Sequence, residues 1–128
     1  MIVVDTSVWI NAFRDRSSLE ARHLSELLDS DEVAIAIPIR IEILSGARRG
    51  EQAQLRRTLS ALPTLYPTAA TWRRIEDWLV RIKSSGDWFG VGDLLIAGIG
   101  AEHQVPIWSL DGDFERMAKL KLIDRYHP

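Results

Sequence analysis

Four acidic residues placed against apolar segments constrain this sequence more than any other feature. They are Asp5, Glu42, Asp93 and Asp111: the first and last follow an apolar run, the second lies inside one and the third begins one. Carboxylates are rarely placed beside a core unless they are paired or bind a cation. Four such placements in a small chain predict convergence on one hard cation. Oxygen ligands favour Mg²⁺ or Mn²⁺ over Zn²⁺.

The length and composition predict a single domain over residues 1–128. Hydrophobic residues make up 46% of the chain and charged residues 27%, as in soluble globular proteins. The absence of cysteine excludes disulfides, thiolate zinc sites and cysteine nucleophiles. No apolar run reaches the length of a membrane-spanning helix and no signal-peptide pattern begins the chain, which predicts a cytoplasmic protein without membrane association. The net charge of −2 neither supports nor excludes nucleic-acid binding.

Short apolar strands alternate with helical patterns along the chain. Strands are predicted at residues 2–4, 33–37, 106–110 and 122–123, with an extended connection at 63–67. Helices are predicted at residues 17–28, 51–62, 69–83, 92–102 and 114–119, with two more following Asp5 and Pro38. This alternation predicts an α/β fold, a three-layer sandwich in which helices flank a mainly parallel sheet.

The predicted sheet brings the four acidic residues to one end of the molecule. Ligands of parallel sheets collect at the carboxyl ends of the strands, and Asp5 and Asp111 each follow a strand. Glu42 lies about one turn into the helix after the second strand. Asp93 begins a helix, where the helix dipole favours a negative charge. The hydroxyls that support such a site belong to Thr6, Ser7 and Ser109.

A carboxylate cluster of this kind suits hydrolysis of a phosphodiester by metal-activated water. Taken alone, Asp5 and Asp93 are explained equally well as helix caps, and Glu42 and Asp111 are better explained as a solvated helix residue and a turn residue. The interpretation as a site therefore depends on the four residues together.

The strings around these residues resemble the motifs of the PIN-domain family, and in particular those of VapC-type toxins of prokaryotic toxin–antitoxin pairs. The four strings are residues 2–10 (IVVDTSVWI), 40–46 (RIEILSG), 92–97 (GDLLIA) and 108–114 (WSLDGDF). Their order and spacing extend over nearly the whole chain. Ser109 stands where the family usually has Thr, which keeps the hydroxyl group.

The resemblance implies a Mg²⁺- or Mn²⁺-dependent endoribonuclease, a homodimer, and inhibition by a small VapB-like antitoxin. By position it assigns the catalytic and metal-binding roles to Asp5, Glu42, Asp93 and Asp111. It also makes Asp113 a further acidic contributor in a supporting role.

Three other functions are compatible with the same residues. A phosphatase or phospho-acceptor domain would use Asp5 as a nucleophile, but the haloacid-dehalogenase type of such enzymes normally carries a second Asp where this chain has Ser7. A PIN nuclease of RNA processing would work without an antitoxin. A non-catalytic PIN-like module would bind RNA or protein only, and the filled acidic positions disfavour it.

Arginine pairs and an aromatic segment each have two interpretations. The pairs Arg48-Arg49, Arg56-Arg57 and Arg73-Arg74 are either solvated helix faces or contacts to RNA phosphates. The segment Asp87-Trp88-Phe89 is predicted to meet either RNA bases or a protein partner. Apolar helical surface between residues 51 and 88 is predicted to form the contact of the homodimer.

Overall fold

A four-stranded parallel sheet forms the centre of the computed structural model, which describes residues 1–128. The strands are β1 (Ile2–Val4), β2 (Val33–Ala36), β3 (Thr64–Leu65) and β4 (Ile107–Trp108), in the spatial order β3-β2-β1-β4. In the register, Ile2 lies opposite Val33 and Val3 opposite Ile107. Every residue of β1, β2 and β4 is buried. Because successive side chains of a strand point to opposite faces, this burial means that both faces of the sheet are covered.

Seven helices surround the sheet. They are α1 (Thr6–Arg14), α2 (Leu19–Asp29), α3 (Ile37–Gly46), α4 (Gln52–Ser60), α5 (Ala69–Ser85), α6 (Val91–Glu102) and α7 (Gly112–Lys119). The predicted α/β sandwich with a parallel sheet is therefore confirmed. None of the helices combines the length and the apolar character needed to cross a membrane.

The edges of the sheet differ from the sequence prediction. The extended connection predicted at residues 63–67 supplies the edge strand β3. The strand predicted at residues 122–123 does not form, because Leu122 and Ile123 are packed into the core instead. The C-terminal segment pairs with the sheet only through an isolated bridge between Ile107 and Arg125.

Helix starts place two of the acidic residues at the carboxyl end of the sheet. Asp5 follows β1 directly and caps α1, its side chain accepting a hydrogen bond from the backbone amide of Ser7. Asp111 follows β4 by three residues and caps α7 in the same way through the amide of Asp113. Such caps satisfy backbone donors that a helix start otherwise leaves free.

Two glycines fix the position of α6. A Cβ atom at Gly98 would lie 3.0 Å from Ile75 and 3.1 Å from Thr71, both on α5. At Gly100 it would lie 2.9 Å from the side chain of Ile107 on β4. The absence of side chains at these positions lets α6 lie tightly between α5 and the sheet. Asp93, in the first turn of α6, is held in place as a result.

Candidate metal centre

Asp5 is a buried carboxylate held by hydroxyl groups. Its Oδ2 atom accepts hydrogen bonds from Ser7 Oγ and Ser109 Oγ, each at 2.8 Å, and from the Ser7 amide at 3.4 Å. The residue is only 5% exposed. All three donors meet Oδ2, so Oδ1 has no protein donor. The geometry leaves that atom for a water molecule or a cation.

Glu42 lies on α3 beside the start of α1. Its Oε1 atom accepts a hydrogen bond from Thr6 Oγ1 at 3.1 Å. Burial raises the pKa of Glu42 above its ordinary value, the hydrogen bond from Thr6 opposes this, and the charge of Asp5 raises the pKa further. Glu42 is therefore a stronger base than a freely solvated glutamate.

Three carboxylates meet on the other side of the site. Each of Asp93, Asp111 and Asp113 places a carboxylate oxygen within 4.8 Å of the other two. Burial is the largest cause that raises the pKa of Asp93 to about 7. A side-chain hydrogen bond with Asp113 and the charges of Asp111, Asp5 and Asp113 add to the shift. Such crowding of like charges is relieved by a proton or by a cation.

These five carboxylates form one acidic pocket: Asp5, Glu42, Asp93, Asp111 and Asp113. The charge of Asp5 raises the pKa of Glu42 and that of Asp93, so Asp5 lies within electrostatic range of both sides. The structure thus brings together the four acidic residues singled out in the sequence. Asp113, for which the sequence predicted only a supporting role, lies beside Asp93 and Asp111 in the same group.

The supporting hydroxyls connect the two sides of the acidic pocket. Ser7 Oγ lies 3.2 Å from Ser109 Oγ and accepts a hydrogen bond from the backbone amide of Leu110 at 3.0 Å. Ser109 Oγ accepts a hydrogen bond from the backbone amide of Asp111 at 3.0 Å. Through these bonds the loop that carries Asp111 is attached to the end of β1.

Two arginines at the site have no counterpart in the sequence prediction. Arg116 forms an ion pair with Asp113, and its Nε atom lies 3.3 Å from Asp87 Oδ1. Arg125 Nη2 donates to the backbone carbonyl of Ser109 at 3.1 Å. The spacing of three residues between Asp113 and Arg116 on one helix is a recognisable signal. Arg125 lies in an irregular C-terminal segment that gives no such signal.

The aromatic segment before α6 divides into an exposed and a buried residue. Trp88 is 80% exposed, whereas Phe89 is 4% exposed and packs in the core. Phe89 is therefore excluded as a surface that stacks on bases, and Trp88 stays available to RNA or to a partner. The six paired arginines are all exposed, and none of them forms an ion pair.

Comparison with known families agrees with this architecture. The PIN domain family model matches residues 2–120. The chain belongs to the PIN-domain family. It is 33% identical over 125 residues to the VapC ribonuclease Mb1587 of Mycobacterium bovis, which covers 94% of this chain and 93% of that protein. Ribonuclease VapC11 of Mycobacterium tuberculosis matches with the same identity and coverage.

Solved structures share the fold at low sequence identity. The complex VapBC2 from Rickettsia felis, bound to a DNA fragment of its promoter, aligns with a TM-score of 0.77 at 19% identity and covers 98% of both chains. VapC20 of Mycobacterium tuberculosis, described as a toxin that cleaves the sarcin-ricin loop, aligns with a TM-score of 0.66 at 18% identity over 100% of both chains.

Proposed function

We propose that this PIN-domain protein is a Mg²⁺- or Mn²⁺-dependent endoribonuclease and the toxin of a VapBC-type toxin–antitoxin pair. The observation that carries the proposal is the convergence of Asp93, Asp111 and Asp113 within 4.8 Å, across from the buried Asp5. Relatives that are 33% identical over nearly the full chain are named VapC ribonucleases, which supports RNA as the substrate. VapBC complexes among the structural neighbours support the role in such a pair.

The donor atoms of the acidic pocket fit a hard divalent cation. All of them are carboxylate oxygens, and no histidine or cysteine belongs to the cluster. Burial is the largest cause of the raised pKa of Asp93, and the negative charges of Asp111, Asp5 and Asp113, which a divalent cation would neutralise, add to it. Asp5, Glu42, Asp93 and Asp111 are the residues that would hold the cation, and Asp113 would contribute beside Asp93 and Asp111. Bound there, the cation would supply Lewis acidity toward a phosphate oxygen and toward water.

The side chains around the cation would orient the attacking water and accept its proton. Ser7 and Ser109 fix Asp5, so that its free Oδ1 atom can orient a water molecule toward the phosphorus. Glu42 can take the proton of that water at Oε2, the atom that Thr6 leaves free. Hydrolysis by this route needs no covalent intermediate with the protein.

Cleavage of defined RNAs by the purified protein tests the activity. Single-stranded and structured RNAs are incubated with Mg²⁺, with Mn²⁺ and with EDTA. We expect internal cuts with either cation and none with EDTA. Cleavage that persists in EDTA would contradict the metal requirement, and intact RNA under all three conditions would contradict the ribonuclease.

An antitoxin partner would block the acidic pocket. A cavity of about 600 Å³ lies between α1 and α3–α4, with Ile10, Phe13, Ile43 and Leu55 among its lining residues. The same two helices reach the acidic pocket, since Asp5 caps α1 and Glu42 lies on α3. An apolar segment of a VapB-like partner seated in this cavity would bring a basic side chain, best an arginine, within reach of the carboxylates. The arginine would then compete with the cation.

A magnesium titration of the inhibitor complex tests this mode of inhibition. The affinity of the partner for the protein should fall as Mg²⁺ rises. Phe13→Ala, a change in the cavity alone, should weaken the complex equally at all Mg²⁺ concentrations. An affinity that is insensitive to Mg²⁺ would contradict entry of a basic side chain.

The homodimer would use the exposed face of α5. Trp72, Leu79 and Val80 are 43%, 47% and 75% exposed, and their spacing places them along one side of the helix. The adjoining side, with Ile75, Trp78 and Ile82, is buried in the core. Sedimentation velocity at micromolar concentration should show a dimer for the wild-type protein and a monomer for Leu79→Glu. A wild-type monomer would contradict the proposal.

A further inference from the structure

Arg116 occupies an unusual position beside the acidic pocket. Its guanidinium group pairs with Asp113 and with Asp87, where Nε lies 3.3 Å from Oδ1, and it lies over the ring of Phe89 at 5.4 Å from the centroid. We call Arg116 with these three residues the Arg116 bracket. Despite its contacts, the side chain of Arg116 keeps 46% of its surface exposed. The side chain of Arg116 is therefore anchored and still partly open to solvent.

Arg116 is the one arginine or lysine that forms an ion pair with a carboxylate of the acidic pocket. Its partner Asp113 also lies within 4.8 Å of Asp93 and Asp111, where a cation would bind. A divalent cation at this place and the guanidinium group carry the same sign of charge and share one carboxylate. Binding of the cation must therefore weaken the hold of Asp113 on Arg116.

The other two residues of the Arg116 bracket, Asp87 and Phe89, determine the position of the Arg116 side chain once Asp113 holds it less tightly. Asp87 and the ring of Phe89 do not belong to the acidic pocket, so a cation there leaves both contacts in place. They keep the guanidinium group beside the pocket instead of letting it move into bulk water. A guanidinium group held in this way can form two parallel hydrogen bonds with a phosphate.

We propose that Arg116 is the internal counter-ion of the metal-free acidic pocket and becomes a phosphate-binding residue for RNA once a divalent cation is bound. The RNA part of this inference rests on the proposed function, whereas the counter-ion part does not. The Arg116 bracket thereby links cation binding to substrate binding: the protein presents its phosphate contact when the cation is present.

Cation binding without RNA tests the counter-ion part. Calorimetric titration with Mn²⁺ compares the wild-type protein with Arg116→Gln and with Arg22→Gln, a control on the exposed surface of α2. Loss of the competing charge should tighten Mn²⁺ binding by Arg116→Gln about three- to tenfold. Arg22→Gln should bind Mn²⁺ like the wild type. Equal Mn²⁺ affinity in all three proteins would overturn the counter-ion role.

RNA binding at increasing salt tests the phosphate-binding part. The titrations use Ca²⁺ in place of Mg²⁺, and a gel checks that the RNA stays intact. Arg116→Gln should lower the slope of log affinity against log salt by about 0.7, the amount expected for one contact to a single strand. Arg116→Lys keeps the charge and should keep most of the slope. An unchanged slope in Arg116→Gln would overturn the phosphate contact.

The variant Asp87→Asn distinguishes phosphate binding by Arg116 from a purely structural role of the Arg116 bracket. It loosens the Arg116 bracket and keeps the positive charge, so the salt slope should stay at the wild-type value. If Asp87→Asn and Arg116→Gln lower the slope equally, the bracket is structural and the inference fails. Wild-type protein that binds no RNA would refute the proposed function and the RNA part together. The Mn²⁺ titration would still decide the counter-ion part.

Discussion

The two sides of the acidic pocket hold their carboxylates by different means. On the Asp5 side, the carboxylate is buried and accepts two hydroxyl hydrogen bonds at 2.8 Å from Ser7 and Ser109. On the Asp93 side, Asp93 has two other carboxylates as neighbours and accepts no hydroxyl hydrogen bond. The fold itself supplies hydroxyl donors to the carboxylate of Asp5, whereas on the Asp93 side three carboxylates crowd together and only Asp113 has a basic partner, Arg116. One side is thus prepared in advance, and the other is completed by its cation.

The largest expected effect is the loss of RNA cleavage when either side is neutralised. Asp5→Asn and Asp93→Asn each remove a negative charge at nearly constant volume. Each should lower the cleavage rate by more than about 100-fold, since even partners of metal ligands cost 10- to 100-fold. Gel assays at saturating Mg²⁺ measure the rate. Asp77→Asn, an exposed change on α5, is the matched control and should keep full activity. If Asp93→Asn folds and still cleaves RNA, the Asp93 side is not needed for activity, and its proposed role in cation binding is contradicted.

The next effect concerns the hydroxyl that orients Asp5. Ser109→Ala removes a donor to Asp5 and an acceptor for the amide of Asp111. Cleavage should fall about 10- to 100-fold, and the free energy of unfolding should fall by about 1–2 kcal/mol because buried polar groups lose their partner. Ser109→Thr keeps the hydroxyl and should retain far more activity than Ser109→Ala. Equal activity of the two variants would show that the hydroxyl does not matter.

Periodicity and strand ends were sufficient to predict the parallel α/β sandwich and the shared location of the four acidic residues. Their positions depend on short-range rules, because a strand end and a helix start are adjacent in the chain. Asp5 and Asp111 are examples, since each is the cap of the helix that follows a strand. The metal-binding and catalytic roles of these residues stay predictions.

The parts that the sequence did not predict depend on contacts between distant segments. The loop with Asp87 is separated from α7 in the chain by α6 and β4, so the Arg116 bracket has no local pattern beyond the spacing of Asp113 and Arg116. The C-terminal segment illustrates the same limit. Its apolar pair at residues 122–123 suits a strand, but it is used for core packing.

A smaller effect concerns the free energy of unfolding, which should change in opposite directions when the two sides of the acidic pocket are neutralised. In EDTA at a pH above about 7, where folded Asp93 is ionised, Asp93→Asn relieves repulsion among carboxylates, so its free energy of unfolding should exceed that of the wild type. Asp5→Asn weakens charge-assisted hydrogen bonds to two hydroxyls and should lower the free energy of unfolding by about 1–3 kcal/mol. Urea denaturation followed by tryptophan fluorescence measures both. A shift of both variants in the same direction would contradict the division into a prepared and an unprepared side.

The smallest expected effect is the pH dependence of stability without metal. Folding raises the pKa of Asp93 from its ordinary value of 3.8 to about 7, so between these values the folded state holds a proton that the unfolded state has lost. The free energy of unfolding in EDTA should therefore fall as pH rises from 5 to 7. The raised pKa of Glu42 acts in the same direction. Asp15 and Glu102, whose pKa values are lowered, change stability only below this window.

Solvent screening of the partly exposed Asp93 keeps this slope shallow. Asp93→Asn should flatten it, and saturating Mg²⁺ should flatten it in the wild type, because the bound cation holds the carboxylate in its ionised form. Urea titrations at pH 5, 6 and 7, with EDTA and with Mg²⁺, measure the slope. Stability that rises with pH in EDTA would mean that the fold already neutralises the Asp93 side. The two sides of the acidic pocket would then be alike, and a cation would have less charge to compensate.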